Sequence, residues 1–582
     1  MESGQKPWRT YKFVKLLLQQ DFFIYKSFCF FIYGAFGALY PYLPLYLKLF
    51  KLSSFQAGTA IGIRPLIQIF GAPFWMTIGE WFRKKKFILL LGIFSWLLKG
   101  LVIMLIWPKK QMCIEALYSP TSNITTFRRT NLWKLDEYES KFLSYIGPPL
   151  NPNYNLPKNQ DEESVFAADA GEIFLYKPLI EFLILPAQDT KFRANPALSN
   201  EENKIQTQYL KWVKTEESIP VITSVKQRYS RKYNADVTFI TLVSQVEIQS
   251  LFIIILLVII VGEFMESPTF ALSDSSMLHL LGENRGRYGQ IRLWGAVGWA
   301  FSTTLVGYLI YRGRFLLCGV TTGYYRVSFY VYIGFVCHAF LSACGFKFNK
   351  TKTGEGPELF RALSALASVK HASFLVAVFY TGACNGFLFH FVNWYIDDRK
   401  GSSLIMGVAG ATREIGEFTF FFLGDTIVGL LGNVHTMGIC LLLYSACFYM
   451  YSVISSPWLA VPLECLDGAI YSLVWSNCVH YMSQIGSNIG LVATMQGILQ
   501  AVFYGLGNGS GTIAGGFLYH YVGAATTFHY LAAGSLMRYK KTVSRYPGVE
   551  LGIKGSPLDC KLIIIKEVIF EHVLDYWLGG KG

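Results

Sequence analysis

A chain of 582 residues that is 52% hydrophobic, 16% aromatic and only 15% charged is poor in charge for a soluble protein, since soluble domains average about 25% charged residues. Its net charge of +14 has the sign of a nucleic-acid binder, but much of the basic excess lies in short loops between apolar runs, where it orients a chain in a lipid bilayer. The eleven cysteines have no metal-ligand spacing and mostly sit in apolar runs as small hydrophobes. No phosphate-binding loop, zinc spacing or nucleophile elbow is evident, so neither an enzyme nor a metal or cofactor is expected.

Residues 1–21 are polar and basic, with Lys6, Arg9, Lys12 and Lys15. The apolar run at 22–47 is too long for a signal-peptide core and lacks a small-residue cleavage site, so it reads as the first membrane helix. Pro41 and Pro44 fall near its far end. The second span, 55–79, holds Gly58, Gly62, Arg64 and Pro65, and ends in Glu80 followed by Arg83, Lys84, Lys85 and Lys86. An acid ahead of a basic cluster has two readings. It either pairs with neighbouring helix ends and latches one conformation, or is a plain positive-inside anchor. The third span, 87–107, has Lys99 near its middle and completes the first transmembrane group, 22–107.

From 108 to 247 the chain turns polar and rich in Pro and Asn. Cys113 is the only cysteine there, so this insertion cannot close with a disulfide of its own. Asn123-Ile124-Thr125 is a glycosylation acceptor sequence. Short alternating stretches such as 237–243 are candidate strands. Spans four to six occupy 248–272, 292–311 and 325–346, within a second group at 248–346. A basic, glycine-punctuated loop with Arg285, Arg287, Gly289 and Arg292 leads into the fifth. A charged linker, 347–370, divides the chain into halves. Spans seven to eleven fall at 371–395, 402–424, 434–454, 458–481 and 490–519. The twelfth is doubtful: after Gly523 only 14 residues precede Arg538, Lys540 and Lys541, against the roughly 20 that cross a bilayer. The expected last group is therefore 371–537, followed by a tail at 538–582.

With the amino terminus in the cytoplasm, the basic residues at 83–86, 285–292 and 347–370 all fall inside and Asn123 falls outside. The membrane itself, plasma membrane or endomembrane, is not readable. Charges within the spans mark the chemistry, because each costs roughly 2.5–3.5 kcal/mol to insert and tends to face an interior pathway. The bases are Arg64, Lys99 and Arg413; the acids are Glu263, Glu266, Glu414, Glu417, Glu464 and Asp467. Three-residue spacing places Glu263 with Glu266, and Glu464 with Asp467, on one helix face each. Arg413 and Glu417, four apart, are spaced to pair with each other. Six acids against three bases leave some acids to hold protons in at least one conformation, as proton coupling requires; the other reading is a set of static interhelical pairs. The halves repeat each other faintly, Gly58 before Arg64 being echoed by Gly407 before Arg413, and the spacing of Glu263 and Glu266 by Glu464 and Asp467. Gly507, Gly511 and Gly515 give close packing, more plausibly static than moving. The aromatic stretches at Phe28, Phe30, Phe31 and Tyr33, and at Phe418 and Phe420 to Phe422, read as lipid-facing surface.

The stretch Tyr288-Gly289-Gln290-Ile291-Arg292-Leu293-Trp294-Gly295 resembles a signature of the major facilitator superfamily, in the branch related to lactose permease and the nucleoside–proton symporters. Ala296 departs from the Ser of that pattern. The chain is most similar to the animal group called MFS domain-containing protein 6 and its 6-like paralogue. Residues 37–47 match its first helix. Glu80 stands where the superfamily loop has Asp, Asp467 where the group has His before Gly468 and Trp475, and 493–497 match the start of helix eleven. The likeness covers 22–107 and 249–530. It implies an all-α membrane protein of about twelve helices in two six-helix halves, with the large outer insertion between helices three and four. It also implies a central cavity lined by helices one, two, four, five, seven, eight, ten and eleven. The expected function is secondary transport of a small solute, with protons as candidate co-substrate. The alternative is a surface receptor that keeps the carrier fold and binds an extracellular protein through the insertion. In either case the lipid bilayer is the surrounding partner, nucleic acid is not a partner, and the substrate is not readable.

This topology is open to a direct check. A tag inserted at Lys350 should be reachable only after cells are permeabilised, and Asn123→Gln should increase gel mobility. Unchanged mobility removes only the glycan argument, whereas a tag reachable on intact cells overturns the orientation.

Overall fold

The computed structural model describes residues 20–108, 112–119, 124–131, 223–228, 236–242, 245–281, 288–317, 320–348 and 359–544. Among them, twelve helical rods form the bundle. The first is split into α1 (Gln20–Leu39) and α2 (Leu43–Leu49), because Pro41 and Pro44 cannot supply the N–H groups of a continuous helix. Next come α3 (Ser54–Trp81) and α4 (Lys85–Leu105). α3 starts at a capping box in which Gln56 N–H donates to Ser53 Oγ at 3.2 Å and Ser53 N–H to Gln56 Oε1 at 3.0 Å. The fourth rod is α5 (Gln245–Glu266) and α6 (Thr269–Leu281), interrupted at Ser267-Pro268 for the same reason as the first. α7 (Tyr288–Arg312) and α8 (Arg326–Cys344) complete the first half.

A short helix α9 (Leu359–Ala365) precedes the second half: α10 (Val369–Asp398), α11 (Ser403–Leu431), α12 (Asn433–Val453) and α13 (Ala460–Ile489). The eleventh rod is α14 (Val492–Gln500), a π-helical segment over Ala501–Asn508, and α15 (Gly509–Val522). The last rod is α16 (Ala524–Ser544). By length and composition, eight of the twelve could cross a membrane; α11, α13, the α14–α15 rod and α16 fall outside that group. Four charges inside α11 and two acids inside α13 dilute helices whose packing is otherwise that of spans.

α16 corrects one expectation. The helix does not stop before Arg538 but continues to Ser544, giving 21 residues, or about 31 Å at 1.5 Å per residue. Arg538 Nη2 donates to the Ser373 carbonyl at 2.6 Å and Tyr380 OH to the Leu531 carbonyl at 3.0 Å, so the basic end docks on α10. The tail boundary expected at 538 therefore lies inside a helix.

The described parts of the insertion form a four-stranded antiparallel sheet in the order β2-β1-β4-β3, with β1 Met112–Ser119, β2 Ile124–Asn131, β3 Thr223–Arg228 and β4 Asp236–Leu242. β1 leaves α4 and β4 enters α5, and they pair from Met112 opposite Leu242 to Tyr118 opposite Asp236. This ladder ties the two ends of the insertion together. The strand expected at 237–243 is β4 within one residue. A two-stranded hairpin, β5 (Phe315–Leu317) and β6 (Val320–Thr322), links α7 to α8. Asn123, Arg285, Arg287 and Lys350 lie outside the described residues.

Small residues set the closest approaches. α11 packs along α13, where a Cβ on Gly416 would meet the Cys465 carbonyl and one on Gly468 the Arg413 carbonyl. Gly507, Gly511 and Gly515 face α10, at Phe379, Ala383 and Phe387. They form a seam within one half. A different stripe on the same rod, Gly509 and Gly516, meets α3 of the other half at Gly62, Ser54 and Gly58. The matching contact joins α7 and α11 through Gly307 and Gly407. Of the aromatic residues expected to face lipid, Phe422 is 81% exposed, but Phe28 is 1% exposed and packs edge-on against Phe346.

Backbone-to-backbone packing of this kind leaves no room for a methyl group. Gly416→Ala and Gly468→Ala should each lower the thermal midpoint of the purified protein, by an overpacking cost of about 1–3 kcal/mol. Gly429→Ala, whose added Cβ meets nothing within 4 Å, should be neutral or slightly stabilising. Equal stability of Gly468→Ala and Gly429→Ala would contradict the seam.

Candidate functional site

The interior charges gather into two clusters, one in each half. In the first, Lys99 on α4 is the hub. Its Nζ donates to Glu263 Oε1 at 2.7 Å, to Glu266 Oε1 at 2.6 Å and to Tyr40 OH at 3.1 Å. Arg64 Nε donates to the same Glu263 Oε1, and Gln68 Nε2 to Glu263 Oε2 at 3.0 Å. The Arg64 guanidinium also lies 3.6 Å from the Tyr40 ring centroid. Glu263 is 0% exposed, Glu266 2% and both bases 4%, so pairing must offset a large desolvation cost.

Local sequence builds this geometry. Glu263 and Glu266 are one turn apart at the end of α5, just before Pro268 breaks the rod. A Cβ on Gly262 would fall on the Lys99 side chain; the glycine leaves room for that aliphatic stem. Arg64 directly precedes Pro65, inside α3.

The second cluster repeats the first in corresponding helices. Arg413 on α11 has Nε 3.4 Å from Asp467 Oδ2 on α13, and its Nη2 donates to Asn385 Oδ1 at 3.3 Å. Its ion pair is thus with Asp467 and not with Glu417, the partner that helical spacing suggested. Packing of Gly468 against the α11 backbone brings Asp467 up to the guanidinium. Glu464 accepts from Tyr451 OH at 2.9 Å. Glu414 and Glu417 lie on α11, half-buried, with Glu417 in electrostatic reach of Tyr471 and Tyr504.

Aromatic rings connect the clusters. The Arg64 guanidinium is 5.5 Å from Phe36, Phe36 stacks on Trp299 at 5.5 Å, Trp299 is 5.6 Å from Phe389, and Phe389 is 5.1 Å from the Arg413 guanidinium. The Trp299–Phe389 step crosses from one half to the other. His390, 4% exposed, lies within the fields of both arginines, and its Nδ1 has no hydrogen-bond partner.

The loop residues are placed more simply. Glu80, Arg83 and Lys84 are exposed, and Glu80 pairs with Lys85 at 3.1 Å. Lys86 Nζ donates to the Cys344 carbonyl at 2.5 Å, at the end of α8. Gly289 and Arg292 belong to the first turns of α7 rather than to a loop; Arg292 bonds Tyr33 OH and lies 3.6 Å from Asp274. Among the described residues, no group of His, Cys, Asp and Glu has metal-site geometry. Sequence reasoning noted Lys99 as a base in a span but did not assign it to the pathway, and it missed Tyr40, Gln68, Asn385 and His390. A lysine inside an apolar span was the available signal for the first; the neutral residues gave none.

Two six-helix halves with charge clusters in corresponding helices is a carrier architecture, and the comparisons agree. The family described as "MFS_1 like family" matches residues 22–530. This chain belongs to that family. Similar MFS_1 like relatives include major facilitator superfamily domain-containing protein 6-like protein B of Xenopus laevis, 22% identical over 533 residues, with 82% of this chain and 83% of the frog protein aligned. The human 6-like protein is 21% identical over 504 residues, covering 82% of each. The solved nucleoside transporter NupG matches 90% of this chain and 99% of its own at a TM-score of 0.55 and 12% identity, which shows the fold. The MFS_1 like family and this fold are those of multi-pass membrane carriers, not of enzymes.

Proposed function

We propose that this chain is a secondary transporter that moves a small solute by alternating access, with protons exchanged at the interior carboxylates. The observation that carries this reading is the pair of buried, salt-bridged clusters in corresponding helices, meeting across the Trp299–Phe389 contact. A site shared between halves is remade whenever the halves rock, and ionisable groups withdrawn from water are suited to trading protons.

The orientation inferred from loop charge gives the conformation meaning. The halves meet where α2, α7, α10 and α15 end and where α3 and α11 begin, which is the outer side when the amino terminus is cytoplasmic. There Lys48 Nζ bonds Asp397 at 2.5 Å and Asp398 at 2.6 Å, and Tyr519 OH donates to Asp398 at 2.5 Å. Asn393 Nδ2 donates to the Pro41 carbonyl at 2.9 Å and Ser54 Oγ to the Gly516 carbonyl at 3.2 Å. We read these contacts as a closed outer gate, the arrangement of an inward-facing carrier. Glu80, Arg83, Lys84, Gly289 and Arg292 would then act as an inner latch only in the opposite, outward-facing state. No observation among the described residues favours the receptor alternative, and it is not carried further.

The gate has a simple consequence. Exposed ion pairs contribute up to about 1 kcal/mol each, and about 1.4 kcal/mol shifts a two-state population tenfold. Replacing Lys48 by Met should therefore raise, several-fold, the rate at which an impermeant maleimide added outside labels a cysteine placed at Phe389. An unchanged rate would show that the bridge does not hold the outer side shut.

Coupling is tested at Glu266 and Asp467. Each amide variant removes a titratable proton while keeping most of the shape. With a substrate found by uptake from a panel of sugars, nucleosides and amines, Glu266→Gln or Asp467→Asn should abolish accumulation driven by an imposed pH gradient and retain counterflow at equal pH in the same vesicles. Accumulation unchanged in both variants would make these acids structural. Absence of uptake for every panel member in sealed, correctly oriented vesicles would count against transport itself.

A further inference from the structure

The two clusters are not charge-equivalent. The first balances two bases, Arg64 and Lys99, against Glu263 and Glu266. The second sets one base, Arg413, against Asp467, Glu464, Glu417 and Glu414, all of which act on its guanidinium. The missing base can be located. Lys99 stands fourteen residues into α4, and the residue fourteen into α12 is Cys447, fully buried and in the field of Asp467 and Glu464. From the other elements packed around this cluster come Asn385 and His390 on α10, Tyr444 and Tyr451 on α12, and Tyr504 in the π-helical segment. None of these is a fixed cation. Across the seam, Arg292 is already engaged by Asp274 and Tyr33.

Carboxylates spaced three apart repel and favour sharing a proton. Even with one proton kept by Glu464 and Asp467 together, and one by Glu414 and Glu417 together, two carboxylates face one guanidinium. One positive charge is needed to complete the site. Its place is marked by Asp467, which is 0% exposed and whose carboxylate oxygens, beyond the 3.4 Å ion pair of Oδ2 with Arg413 Nε, have no hydrogen-bond partner. Aromatic rings surround the same arginine. Phe389 and Tyr471 flank Arg413, Tyr471 and Tyr504 are joined hydroxyl to hydroxyl, Trp475 packs at 5.0 Å from Tyr504, and Trp299 approaches Phe389 from the other half.

We infer that the transported solute is an organic monocation, its positively charged nitrogen held by Asp467 and Glu417 and its apolar body lying against Phe389, Tyr471 and Trp299. Carboxylate and ring face attract the same charge, while an anionic solute would meet a surplus of like charge. This deepens the transporter reading and rests on it. It also gives proton exchange a physical basis, because proton and ammonium compete for the same carboxylates.

The probe is phenyltrimethylammonium, compared with neutral N,N-dimethylbenzamide and anionic benzoate, on the full-length protein in nanodiscs. The thermal midpoint should rise saturably with the cation alone. Its half-saturating concentration should increase at least tenfold in Asp467→Asn and in Glu417→Gln, and stay put in Gly429→Ala. Glu417 is half-buried, so that variant keeps the test alive should Asp467→Asn fail to fold. Equal stabilisation by dimethylbenzamide or benzoate, a cation effect indifferent to both variants, or the same rise from sodium chloride alone would overturn the inference. Counterflow in vesicles separates the two claims. Cation binding without cation counterflow leaves the site standing and sinks the transporter reading; counterflow of a neutral solute without cation binding does the reverse.

Discussion

A charge taken out of water in the middle of an apolar bundle must find its complement at hydrogen-bond distance, and the rest of this structure is arranged around that requirement. Losing one partner of such a pair typically costs about 3–5 kcal/mol, because the other charge is left stranded. The first half meets the condition with one ammonium shared between two carboxylates. Sharing works because the fourth rod breaks at Ser267-Pro268, one residue after Glu266, and because Gly262 gives up its side-chain volume to the Lys99 stem. The placement of a proline and a glycine on one rod and a lysine on its neighbour is thus one constraint expressed three times.

Much of this was legible in the chain. Long apolar runs fixed the helices, loop charge suggested an orientation, and charges inside apolar runs picked out Arg64, Glu263, Glu266, Arg413, Glu464 and Asp467, which the fold then brings into two clusters. Three things were hidden, each for a physical reason. Pairing was one: Arg413 lies four residues from Glu417 along a helix, but tight packing at Gly468 presents Asp467 instead. The end of α16 was another, because Arg538, Lys540 and Lys541 looked like a terminus, whereas Arg538 reaches sideways to a carbonyl of α10 and the helix carries on. The third was the choice of glycine stripe. Gly507, Gly511 and Gly515 share a regular spacing that sequence can register, yet they form a seam within one half, while Gly509 and Gly516 meet the other half. Glycine spacing tells how close two backbones come, not which two.

The seam between halves is built differently from the seams within them. Inside each half, helices are joined by bulky rings and backbone contacts, as where Gly416 and Gly468 interlock α11 with α13. Between halves, the close approach is made by short glycine and hydroxyl contacts: Ser54 to Gly516, Thr304 to Gly407, Gly62 to Gly509. These glycine and hydroxyl contacts themselves bury little apolar area, although rings such as Phe55 on Phe517 and Trp299 on Phe389 cross the same seam, so breaking them costs less hydrophobic free energy than parting a wholly apolar interface. The polar bonds made by Lys48, Asn393 and Tyr519 are likewise ones that water can replace. A gate that must open repeatedly is better made of these materials than of interdigitated leucines.

The same reasoning explains why the aromatic chain lies at the centre. When two rigid halves rock, their ends move most and the region about the pivot least. Phe36, Trp299 and Phe389 occupy that region, stacked between the arginines of opposite halves. Ring contacts have no fixed donor–acceptor geometry to lose, so they tolerate small rotations that would break a hydrogen bond. The arginines can therefore stay paired to their own carboxylates while the faces between them slide. On the proposed transport reading, rocking would change the exposure of those carboxylates to one side or the other, and the second half, with its surplus of acid, would gain more from a mobile cation than the first. On that reading, function follows from an imbalance that the duplicated architecture would otherwise have cancelled.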